Sequence, residues 1–177
     1  WAQLGKRLAE RGLPVPSRPV GVPKQASATV PAETPDEQKK RGTIGVVAVD
    51  RQGNYAAGTS TGGMTAKRFG RVGDSPIIGA GTYAMNKVCA VSATGAGEYF
   101  IRLSVARSIC ALIELKGLGA QQAADQVIQT DLTAMGGDGG VIVIGPQRDV
   151  VFSFNSSGMY RARRTSLTPT EVAIFKE

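Results

Sequence analysis

The chain has 177 residues, 42% of them apolar and 20% charged, which allows one well-buried domain and is too short for two large ones. It contains no histidine, so a Ser-His-Asp triad or a Cys-His dyad is excluded within it, and a zinc or other transition-metal site has almost nothing to ligate it. The net charge of +7 raises nucleic acid as a partner, but base-stacking aromatics make up only 6% of the chain; the basic clusters Lys39-Lys40-Arg41 and Arg161-Ala162-Arg163-Arg164 read as solvated surface instead.

Residues 1–12 carry an amphipathic pattern, with Leu4, Leu8 and Ala9 on one side and Lys6, Arg7 and Glu10 on the other, so they read as the end of a helix stopped at Gly12. From Pro14 to Arg41 the sequence holds six of its nine prolines and almost no large apolar residues after Val30, the composition of a mobile linker. No stretch reaches the roughly 18 apolar residues needed to span a bilayer, and the N-terminus lacks a signal-peptide core, so the expectation is a cytoplasmic protein with no membrane partner.

At Gly42-Thr43-Ile44-Gly45 the polar linker gives way within one residue to an apolar strand headed by threonine. A threonine hydroxyl is a weak nucleophile that needs an adjacent base. Scission between Gly42 and Thr43 would supply one on the same residue, a free α-amino group with an unperturbed pKa of about 7.7 to 8.0. The plainer alternative is that Thr43 merely begins a strand.

Downstream, Ile44 to Val49 and Tyr55 to Thr61 read as antiparallel strands joined by the turn Asp50-Arg51-Gln52-Gly53-Asn54. A glycine-rich loop covers Gly62 to Gly81, and Lys87 to Thr94 reads as a third strand. A helix over Glu98 to Lys116 ends at Gly117, and a second covers Ala120 to Met135. Strands follow at Val141 to Gly145, Val150 to Asn155 and near Glu171 to Lys176, so the class is α+β with helices packed on an antiparallel sheet. Cys89 and Cys110 sit among apolar neighbours and read as buried free thiols, with a disulfide or a catalytic cysteine as the alternatives.

Thr43, Thr61 and Thr94 all fall at strand ends that could converge, the third if its strand runs alongside the first two. Thr61-Gly62-Gly63-Met64 and Thr94-Gly95-Ala96-Gly97 are turns that can aim backbone N–H groups at a developing oxyanion. Between them, Gly70-Arg71-Val72-Gly73-Asp74-Ser75-Pro76 sets a guanidinium and a carboxylate three residues apart. That pair suits an amino-acid zwitterion, or else a salt bridge bracing a loop.

These motifs, with Gly79-Ala80-Gly81-Thr82-Tyr83-Ala84 and Thr94-Gly95-Ala96-Gly97-Glu98, resemble in order the β-subunit of the plant-type asparaginase and isoaspartyl peptidase family, the threonine-type N-terminal nucleophile hydrolases. The resemblance runs from Thr43 to about Tyr160. It implies an αββα sandwich, a precursor that cleaves itself between Gly42 and Thr43, and hydrolysis of β-aspartyl amide or isopeptide bonds in L-asparagine or β-aspartyl dipeptides. It further implies Thr43 as nucleophile, Thr61 as the hydroxyl that positions it, and Thr94 with Gly95 as oxyanion hole. Arg71 would hold the substrate α-carboxylate, and Asp74 with the backbone of Gly97 its α-amino group.

On the same resemblance, residues 1–42 are the tail of an α-subunit and residues 43–177 the β-subunit. The remainder of the α-subunit is then a partner that carries a structural sodium, catalysis needs no cofactor, and the assembly is a dimer of αβ units. Two other readings compete: glycosylasparaginase, whose pattern has Asn and Asp where this chain has Gly63 and Glu98, and a non-catalytic amino-acid-binding remnant.

Overall fold

The computed structural model describes residues 42–65 and 67–175, together with residues 6, 8–12 and 14. Lys6 and Leu8 to Glu10 are helical, and the N–H groups of Arg11 and Gly12 close a turn onto Leu8 and Ala9, as the amphipathic pattern implies. The linker expectation falls on residues 15–41, outside the described residues. The chain divides into two compact units, one made of Thr43–Thr61 and Val72–Glu177, the other of Trp1–Gly42 and Gly62–Arg71.

In the larger unit the first strands are those the alternating pattern calls for. β1 (Thr43–Val49) and β2 (Tyr55–Thr61) pair antiparallel in the register Thr43 to Thr61, Gly45 to Thr59 and Val49 to Tyr55. Side chains alternate across a strand, so Thr43, Gly45, Val47 and Thr59 share the inner face. Ile44 and Val46 point outward, 73% and 59% exposed. At the turn, bonds from the Asn54 side chain and backbone hold the Asp50 carboxyl below its ordinary pKa.

A second antiparallel sheet has the order β3 (Thr82–Met85), β4 (Cys89–Gly95), β5 (Gly139–Ile144), β6 (Val150–Phe154). The hairpin packs on this sheet, β1 over β4 and β5, β2 over β3 and β4. The other face carries α1 (Gly97–Leu103), α2 (Val105–Lys116) and α3 (Ala120–Asp125), the last continued by a π-helical stretch, Gln126–Leu132. The core lies in that layer: Phe100, Ile109, Ile128 and Leu132 are fully buried against Val91, Val141 and Val143. A final hairpin of β7 (Gly158–Arg163) and β8 (Glu171–Phe175) lies beside β6. Among the described residues no helix is long and apolar enough to cross a membrane.

The structure corrects several expectations. The third strand does not run alongside the first two. β4 pairs with β3 and β5 in the other sheet and meets the hairpin face to face, because its residues from Cys89 to Ala93 are all buried and need cover on both sides. The single helix expected over Glu98 to Lys116 breaks at Ser104, which takes φ 47° between α1 and α2; its own N–H bonds Ile101 O, and Ser108 Oγ donates to Leu103 O. β3 and β7 were not expected: the first is only four residues long, and the second carries Arg161 and Arg163 in a run that reads as charged surface. Cys89 and Cys110 are joined in a disulfide rather than free, because α2 packs directly on β4 and brings their Cα atoms to 5.8 Å, within bridging range. A separation of 21 residues in sequence carries no sign of that contact.

Candidate active site

The hairpin register sets the first element of the site. Because Thr43 pairs with Thr61 across the strands, both hydroxyls emerge at the open end of the hairpin, where Thr43 Oγ1 donates to Thr61 Oγ1 at 3.2 Å. Thr43 is half-buried and Thr61 exposed, so the pair sits at a mouth rather than in the core.

A cleft of about 360 Å³ opens between this hairpin and the second sheet, and Thr43, Gly45, Ser92, Thr94, Gly140 and Ile142 line it. Thr94 therefore lines the same cleft as the nucleophile candidate, from the facing layer. Gly95, paired with Gly139, ends β4, and a Cβ there would run into Asp138 O, the Phe100 ring and Gly139 Cα, so only glycine fits. Two residues later Gly97 starts α1, itself buried. A hydroxyl pair with a strand-end glycine turn facing it is an arrangement suited to acyl transfer.

Asp74 is buried, at 7% exposure, in the loop that precedes β3. Its carbonyl accepts from the N–H groups of Ile77 at 2.9 Å and Gly81 at 3.1 Å, and Gly81 O in turn accepts from Ala93 N at 2.9 Å. The loop is thus stitched to β4 next to Thr94. Arg71 and Gly42 belong to the other unit, where the N–H of Arg71 donates to Arg68 O at 3.2 Å. The structure thus brings Thr43 and Thr94 to one cleft, bonds Thr61 to Thr43, and holds Asp74, Gly95 and Gly97 in the same unit, while Arg71 lies in the loop of the other unit.

The far wall of the cleft comes from a segment whose sequence reads as solvated charge. Met159 to Arg164 line it. Arg163 is exposed and pairs with Glu171, but Arg161 is half-buried: its guanidinium lies over the rings of Phe154 and Phe152, 5.1 and 5.7 Å from their centroids, and donates to the carbonyls of Met159 and Phe175. The missed signal was local, since Phe152 and Phe154 alternate on β6 next to the basic run. Ser92 was also missed, although a lone polar residue inside the apolar run Cys89 to Ala93 marks a place where something must satisfy it.

Comparison with known proteins gives a family for the chain as a whole. A family model described as Asparaginase, Asparaginase_2, matches residues 18–174. The chain is 55% identical to the isoaspartyl peptidase of Salmonella typhimurium over 142 residues, which are 80% of this chain and 45% of that protein. The isoaspartyl peptidase of Escherichia coli is 54% identical, over 80% of this chain and 44% of its own length. The human isoaspartyl peptidase/L-asparaginase is 44% identical over 72% of this chain and 41% of its own length. The chain spans less than half the length of these curated relatives.

Proposed function

Because the chain belongs to the asparaginase family, we propose that it carries the nucleophile of a threonine hydrolase that cleaves β-aspartyl amide or isopeptide bonds and releases L-aspartate. The observation that carries this reading is the hydroxyl contact between Thr43 and Thr61, 3.2 Å long, beside a cleft that Thr94 also lines, in a chain without histidine. After scission between Gly42 and Thr43, the new α-amine takes the proton of Thr43 Oγ1 as that oxygen attacks the side-chain carbonyl of the substrate. Thr94 and Gly95 hold the oxyanion, and the leaving amine departs with the proton. Water then attacks the ester on Thr43, and L-aspartate leaves with the hydroxyl restored.

In the same reading Asp74 and the backbone of Gly97 hold the substrate α-ammonium, and Arg71 forks onto its α-carboxylate. Residues 1–42 form the tail of an α-portion and residues 43–177 the β-portion. The remaining α-portion, which would hold the structural sodium, completes an αββα sandwich over the outer face of the β1–β2 hairpin. The outward exposure of Ile44 and Val46 supports this, since an apolar strand face of that kind is ordinarily covered. Assembly as a dimer of αβ units belongs to the same proposal.

The test is intact-mass measurement and turnover of the protein expressed with its α-portion. The parent is expected to appear as two pieces divided before Thr43 and to release aspartate from asparagine and β-aspartyl-leucine. Thr43→Ala is expected to stay whole and inactive; turnover by that variant would remove Thr43 from the nucleophile role.

A further inference from the structure

Two residues inward from the reacting threonines lies a partly buried hydroxyl cluster, centred on the buried Ser92, to which the reaction itself gives no task. Thr59 precedes Thr61 by two on β2, Ser92 precedes Thr94 by two on β4, and Thr82 opens β3 next to Gly81, to which the Asp74 carbonyl is bonded. Ser92 is 2% exposed. Its Oγ lies 2.6 Å from Thr59 Oγ1 and 3.3 Å from Gly58 O. Thr82 Oγ1 donates to Thr59 Oγ1 at 2.5 Å and also lies 3.4 Å from Ser75 O, while Thr59 Oγ1 lies 3.1 Å from Gly81 O. Each hydroxyl has one proton to give, and one ordering uses all of them: Thr82 donates to Thr59, Thr59 to Ser92, and Ser92 to the Gly58 carbonyl.

Gly45 makes the cluster possible. It pairs with Thr59 and stands two residues after Thr43, and a Cβ built there would fall on Ser92 Oγ. The absent side chain is thus the space that the Ser92 hydroxyl occupies as it crosses from one sheet to the other. An apolar contact at this point could slide, whereas the short directional bond to the buried Ser92 hydroxyl cannot, because a displaced Ser92 is left unsatisfied away from water.

We propose that Thr59, Ser92 and Thr82 are positioning residues that index three separate segments to one another: the hairpin bearing Thr43 and Thr61, the strand bearing Thr94, and the loop bearing Asp74. The proposal rests on Thr43 being the nucleophile. The Ser92 link sets the distance between nucleophile and oxyanion hole and so acts on the chemical step. The Thr82 link, through the adjacent Gly81, whose N–H donates to the Asp74 carbonyl, sets the height of Asp74 and so acts on substrate capture.

The test is kinetic, on the protein expressed with its α-portion. Ser92→Ala is expected to lower kcat and the rate of self-scission by about 10²-fold, the scale of loss for a misplacement near 1 Å, with KM little changed. Thr82→Val is expected to raise KM for β-aspartyl-leucine with kcat little changed. Thr59→Val should do both and Thr59→Ser, which keeps the hydroxyl, should restore both; if the valine variant does not fold, Ser92→Ala and Thr59→Ser carry the comparison. Ser92→Ala protein that melts lower yet cuts itself and turns over at parental rates would overturn the proposal and leave the cluster a fastener between sheets. Thr43→Ala, run in parallel, separates the two failures: if it abolishes scission and turnover while Ser92→Ala does neither, the nucleophile stands and only the indexing role falls.

Discussion

β4 shows two different surfaces along one strand. Toward the helices it presents Cys89, Val91 and Ala93, all within the core with Ile109, Ile128 and Leu132. Toward the hairpin it presents Ser92 and Thr94, both lining a cleft, with Ser92 bonded through its hydroxyl to Thr59. The dry side is held by buried area, which is large but tolerant of small shifts because it has no direction. On the hairpin side the contacts of Ser92 are hydrogen bonds, which have a preferred angle. Stability and placement are thus divided between the faces of a single strand, and the division predicts that substitutions on the two sides will fail in different ways.

The largest stability effect should come from the dry side. Ile109→Ala removes a fully buried side chain from α2 and is expected to cost about 2–5 kcal/mol in chemical denaturation, while folded protein still cuts itself at the parental rate. Slow scission in that variant would mean the faces are coupled and the division is wrong. Cys110→Ala, or a reductant on the parent, opens the disulfide that ties α2 to β4 across 21 residues of sequence, with an expected loss of about 2–4 kcal/mol. A mass gain on reduction with no change in denaturation midpoint would contradict it.

The smallest effect belongs to the hairpin end far from Thr43, where Tyr55 Oη donates to Gly145 O at 2.9 Å. Tyr55→Phe should cost only about 0.5–1.5 kcal/mol and leave scission unchanged. Burial holds the Tyr55 phenol above its ordinary pKa of 10.0, against the nearby Arg148 charge and with that of Asp149. A group whose folded pKa is raised contributes stability that is intact below its unfolded value and lost as pH climbs through the folded one. Wild-type protein should therefore weaken through that alkaline window, and the phenylalanine variant should not share this loss in pH-dependent melting.

Much of the site was readable in one dimension because its chemistry is local. A threonine heading an apolar strand after a polar linker, and glycine turns after Thr61 and Thr94, are features of neighbouring residues, and the hairpin register that joins Thr43 to Thr61 follows from a short turn. The split at Ser104 and the short strand β3 were not readable, since helical spacing continues across the first and the second is too brief to show a period. Nor was Ser92 assigned a partner: its polarity was visible, but what satisfies it lies 33 residues away on β2.

From its amino acids alone the chain determined the first hairpin, the absence of a histidine base, and which hydroxyls stand at strand ends, because each of these depends on composition or on near neighbours. Tertiary structure decided that β4 faces the hairpin instead of pairing with it, that Cys89 meets Cys110, and that Gly45 leaves room for Ser92. Those outcomes depend on which surfaces need cover on both sides, and that is settled by packing between distant segments whose distances along the chain carry no trace of it.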